Sequence, residues 1–122
     1  WYGYCNGQAE YSSDACGQSS WTMPDEADNG LTHSPGSLAM AKTNAPHTGG
    51  SQFYIVPSDS TPSHLDGVHT VFGTVSDGLE HVDAISGVET GQNDKPVYDV
   101  TIVSVEITDD GIKDGTPWYQ FW

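Results

Sequence analysis

Apolar residues reach this chain in short bursts: SLAMA at 37–41, QFYIV at 52–56 and TVFGTV at 70–75, each closed off by proline, glycine, serine or asparagine. Runs of five or six residues suit strands and are too brief for a packed helix, so the fold they allow is mainly β. A fourth run, VTIVSVEI at 100–107, sets Thr101, Val103, Val105 and Ile107 on one side of an extended chain. Helical spacing occurs once, in DGLEHVDAI at 77–85, where Leu79, Val82 and Ile85 share a side. Asp77 and Glu80 suit the N-terminal end of that helix, and Gly87 stops it. Gly73, inside the third run, predicts a bulge or a close contact.

A chain of 122 residues is enough for one domain with one modest core. Residues 1–36 read as a loop-rich stretch in which aromatics alternate with Gly, Ser and Asn. Residues 37–108 hold the regular elements, and 109–122 form a tail, DDGIKDGTPWYQFW. Four strands cannot close a barrel and leave open edges. Together with Trp1 as first residue, this gives the expectation of a piece of a longer product. No apolar run approaches the roughly 20 residues of a membrane helix.

Seventeen acids face only Lys42, Lys95 and Lys113, with no arginine, for a net charge of −14. Such a surface repels phosphate backbones and excludes nucleic acid as a partner. It favours a soluble monomer. Cys5 and Cys16 are either two thiols or a bridge, which would contribute about 3 kcal/mol and suit an oxidising compartment. The leaning is therefore towards an exported or extracytoplasmic protein. Two cysteines without a second pair, and histidines at 33, 47, 64, 69 and 81 without an HExxH arrangement, give no reason to expect a metal or cofactor. Ser51 and Ser63 lack the surroundings of a nucleophile elbow.

Three blocks then taken in order, SLAMAKTNAPHTGGSQFYIV, HLDGVHTVFGTVSDGLEHVDAI and a DKP turn leading into VTIVSVEI, resemble the second half of a cyclophilin, the barrel family of peptidyl-prolyl cis-trans isomerases. The resemblance runs from about Pro24 to Ile107 and implies a partial antiparallel β-barrel with one short helix. By the same resemblance Gln52 points an amide at a substrate backbone, while Tyr54, Leu65 and His69 line the pocket for a proline ring. Thr48, Gly49, Gly50 and Ser51 belong to the loop that forms one wall, its glycines letting chains approach closely. Ala41 and Lys42 match positions that pair through their backbone with an extended peptide, and His64 stands where many members have tryptophan. Lys42 and His64 depart from the family pattern.

The family also implies an arginine from an upstream FHR…QGG segment, which stabilises the twisted amide electrostatically. This chain has none, so the expectation is isomerase function for the family and little activity for this chain alone. The implied partners are proline-containing peptides or unfolded proteins. Two other readings stay open: a proline-peptide binding module without turnover, and an acidic module stabilised by calcium and a Cys5–Cys16 bridge.

Overall fold

The computed structural model describes residues 22–108. Cys5, Cys16 and the tail from 109 onward lie outside the described residues. Three strands, β1 (Ser37–Met40), β2 (Phe53–Ile55) and β3 (Val71–Thr74), form an antiparallel sheet in the order β2-β1-β3. These are the first three apolar runs, trimmed by one or two residues at their ends. β1 sits in the middle because its alternation serves two neighbours. Ala39 pairs with both Tyr54 and Val71, and Leu38 with both Ile55 and Gly73.

Directly opposed residues share a face of the sheet. Ala39, Tyr54 and Val71 therefore lie on one side, and Leu38, Ile55 and Gly73 on the other. The first side holds the core: Ala39 is 0% exposed, Val71 4%, and Val56, one residue beyond β2, 2%. The β1–β3 register slips between Leu38 and Ala39, leaving Phe72 as the extra residue of a bulge beside Gly73. A Cβ on Gly73 would stand 3.7 Å from that of Leu38, so the expected bulge and the expected close contact are both present.

The link from β2 to β3 has to pass β1, and it does so through a 3-10 turn, Ser63–Leu65. That crossing brings Leu65, Asp66 and His69 towards the middle of the sheet. Before β1 the chain turns at Gly36, whose φ of +83° suits glycine, while a Cβ there would stand in ordinary contact with Val75 at 3.7 Å.

Helix α1 (Leu79–Ser86) begins after Gly78, which is left-handed at φ 83°, and no side chain caps it. Asp77 therefore stands one residue too early for the capping role expected of it, while Glu80 does occupy the first turn and Gly87 the C-terminal cap. Leu79 and Val82 are half-buried, but Ile85 is 48% exposed. Asp83 anchors the helix, accepting the backbone N–H of Ser58 at 2.7 Å and its hydroxyl at 2.6 Å.

The fourth expected strand is absent: residues 100–107 carry no strand assignment, and Val103, Val105 and Ile107 are 91, 76 and 87% exposed. Alternation decides which side a strand would bury. It cannot supply the edge a strand must pair with, and among the described residues no strand pairs with this segment.

Candidate functional site

Tyr54, at the centre of β2, faces the same side as Ala39. Its hydroxyl lies 2.8 Å from His33 Nε2, and the His33 and Tyr54 rings are within 9° of parallel with centroids 5.9 Å apart. His69 stands edge-on to both, at 6.0 Å from Tyr54 and 6.5 Å from His33. Three rings delivered by the pre-β1 loop, by β2 and by the β2–β3 link thus meet on one face.

Hydrogen bonds fix the ring protons. Asp66 Oδ1 accepts the His33 backbone N–H at 2.8 Å and lies 2.7 Å from His33 Nδ1. Those bonds hold the Asp66 carboxyl below its ordinary 3.8, the backbone one contributing most. An ionised carboxylate only accepts, so Nδ1 carries the hydrogen, and in the neutral ring Nε2 is left to accept from the Tyr54 hydroxyl. Burial, with the charge on Asp66 adding to it, pushes the Tyr54 phenol up from 10.0 to about 12. His69 Nδ1 faces the Met40 carbonyl at 3.0 Å, which makes it the donor and leaves Nε2 as that ring's acceptor.

The remaining expected residues divide into two groups. Leu65 is half-buried and shares a turn with His69, whose N–H it accepts at 3.0 Å. Gln52 is half-buried; its carbonyl takes the Ala41 N–H at 3.0 Å, and its carboxamide has no hydrogen-bond partner among the described residues. A carboxamide with no partner among the described residues is available to a ligand. His64 and Ser51, by contrast, are exposed and make no hydrogen bond to the cluster among the described residues.

The loop between β1 and β2 is held by its own polar atoms. Thr48 Oγ1 lies 2.9 Å from Thr43 Oγ1 and donates to the Ala45 carbonyl at 2.9 Å. The Lys42 side chain is 4% exposed, its Nζ 3.3 Å from the Ala45 carbonyl and 3.6 Å from Asp25 Oδ2. Asp25 also accepts the His47 N–H at 3.0 Å, a bond that, ahead of the lysine, holds its carboxyl below 3.8. Within this loop the left-handed residue is His47 at φ 58°, and neither Gly49 nor Gly50 has positive φ. Gly49 is buried, with Ala41 O and Met40 Cβ both 4.0 Å from a would-be Cβ.

In the ring cluster His33 is buried, while Tyr54 and His69 are half-buried. Hollows of about 220 and 340 Å³ lie elsewhere, one beside Asp59 and Asp83, the other beside Leu31 and Phe72. Among the described residues no three His, Cys, Asp or Glu side chains are grouped to hold a metal ion, and no helix is long and apolar enough to cross a membrane.

His33 and Asp25 are the residues that sequence reasoning missed. Both act through partners more than 20 positions away, beyond the reach of any local pattern. Asp66 had a signal, lying inside the LDG block.

Comparison with known proteins agrees with the resemblance. The family model described as cyclophilin type peptidyl-prolyl cis-trans isomerase matches residues 3–107. The chain is 40% identical over 97 residues to peptidyl-prolyl cis-trans isomerase B of Escherichia coli K12, covering 71% of this chain and 59% of that protein. It is 41% identical over 97 residues to the isomerase cyp18 of Streptomyces antibioticus, covering 70% and 57%. Among solved structures it is similar to a cyclophilin type isomerase of Cryptosporidium parvum determined in the presence of the dipeptide Ala-Pro. The TM-score there is 0.56 at 31% identity, over 62% of this chain and 48% of that one. The matches thus span less than two thirds of those relatives' lengths.

Proposed function

The chain belongs to the cyclophilin-type peptidyl-prolyl cis-trans isomerase family, and on that footing we propose that it forms the proline-receiving wall of a prolyl isomerase groove. The observation that carries this reading is the contact of Tyr54 with His69, ring centroids 6.0 Å apart, on one face of the sheet. Rotation about an X-Pro bond costs about 18–20 kcal/mol because the amide must lose its resonance. A catalyst needs no covalent step: it holds the chain on both sides, receives the pyrrolidine ring and favours the twisted amide.

In this reading Tyr54, Leu65 and His69 receive the ring. Gln52 offers its free carboxamide to the backbone beside the proline. Ala41 and Lys42 pair with the extended peptide through backbone groups, and the Thr48, Gly49, Gly50, Ser51 stretch and His64 flank it. The ligands are proline-containing peptides or unfolded segments, taken up by a monomer with no cofactor.

Binding and turnover separate at the missing cation. With no arginine in its 122 residues, the chain lacks the donor that the family aims at the prolyl nitrogen. It therefore binds proline peptides but accelerates their isomerisation little by itself. A protease-coupled assay on an X-Pro tetrapeptide, run beside a titration with the same peptide, tests both halves. Binding without acceleration at micromolar chain is expected; clear acceleration sinks the second half, and no binding at millimolar peptide sinks the first.

A further inference from the structure

The Asp66–His33–Tyr54 chain has the order of a nucleophilic triad, acid to imidazole to hydroxyl, and the reading of its use turns on burial. The His33 side chain is 0% exposed, and the same burial that raises the Tyr54 phenol to about 12 disfavours loss of its proton. A hydroxyl that keeps its proton is a poor nucleophile, so the chain of bonds acts as a strut. A tyrosine facing a proline-binding surface brings a polar end that must be satisfied or hydrated, and hydration there would compete with an apolar ring.

We propose that His33, held by Asp66, is a positioning residue that occupies the Tyr54 hydroxyl and so presents the tyrosine ring to the groove as an apolar plate. The role for proline binding rests on the groove reading above; the strut itself does not. Asp66 receives both the N–H and the Nδ1–H of His33, which fixes the imidazole in position and in tautomer. Among the described residues Nε2 is then the acceptor bonded to the phenol, at 2.8 Å. Among the described residues, the titratable groups in contact with the imidazole are Asp66, Tyr54 and, edge-on, His69.

Hydrogen-bond energetics give the strut a signature that plain packing lacks. Removing one partner leaves the other buried and unsatisfied, whereas removing both is much milder. In the whole chain, His33→Phe keeps ring volume but strands the Tyr54 hydroxyl, and proline-peptide affinity falls about fivefold. In a Tyr54→Phe background the same His33→Phe change costs less than about twofold, and His33→Gln, which keeps an acceptor near the Nε2 position, restores most of the affinity beside Tyr54. Nitrogen-15 spectra of labelled histidine, assigned by the signal lost in His33→Phe, are expected to show the neutral His33 ring carrying its hydrogen on Nδ1. An equal loss in both backgrounds, or a neutral ring with its hydrogen on Nε2, overturns the inference. If the wild-type chain binds no proline peptide, the groove reading falls. The tautomer, with the same double-mutant cycle read by melting temperature, then still decides for or against the strut.

Discussion

Gln52 is the side chain on which a peptide would be felt most directly, since its carboxamide is uncommitted among the described residues while its backbone is tied into the sheet. Gln52→Ala is therefore expected to weaken proline-peptide binding roughly three- to tenfold, the worth of one neutral hydrogen bond, with little change in melting temperature. Titration of the peptide against both proteins, with thermal melts alongside, checks it. A loss of fold accompanying the loss of binding would remove the amide from the site.

The ionisable groups set a pH window of their own. Asp25, Asp66 and Asp83 are all held below 3.8 by accepted hydrogen bonds, to His47, His33 and Ser58 in turn. The stability they contribute is complete above that ordinary value and is lost as pH falls through their lowered ones. Tyr54 runs the other way: its contribution is complete below 10.0 and is lost as pH rises through about 12. Urea midpoints are expected to decline below pH 3.8 and above pH 10.0, the alkaline decline shrinking in Tyr54→Phe. At this scale the meeting of Tyr54 with His69 was legible through the blocks they stand in. His33 was illegible because its importance is created by two partners, 21 and 33 residues away, that only the fold brings to it.

Among the elements, β1, β2 and β3 were legible almost to the residue, since each is a short apolar run between turn-forming residues and all three find each other. Residues 100–107 show the same alternation with no strand pairing to them among the described residues, and the pattern misled for that reason. The start of α1 misled for a smaller one: an acid before an apolar helical pattern suggests a cap, yet Gly78 takes the left-handed turn that opens the helix. The turn before β1 gives the prediction that belongs here. Gly36→Ala puts a Cβ on a residue at φ +83° and is expected to destabilise the chain by about 1–2 kcal/mol, read from the urea midpoint. A neutral result would mean the turn relaxes to negative φ without disturbing the bond from Val75 N–H to the Gly36 carbonyl.

For the molecule as a whole, the mainly β class and its likeness to part of a cyclophilin barrel follow from three strands, one helix and a solved neighbour. Among the described residues Ala39, Val56 and Val71 are the buried apolar ones, while Phe53 and Phe72 stay about half exposed. The charge is the property best read from composition alone, and Lys42 gives it local meaning. That lysine is turned inward onto Asp25 and the Ala45 carbonyl, so the cation next to Ala41 and Gln52 in the β1–β2 loop is withdrawn from any visitor. A guest arriving at this face therefore meets an anionic host in which Lys42 is already engaged. Proline peptides flanked by lysine or arginine should dock several-fold more tightly than the same peptides flanked by glutamate at low ionic strength, the gap closing as salt approaches 1 M, where screening falls to about 3 Å. Equal affinity for the two at 10 mM salt would mean that the acidity of this protein does not reach its guests.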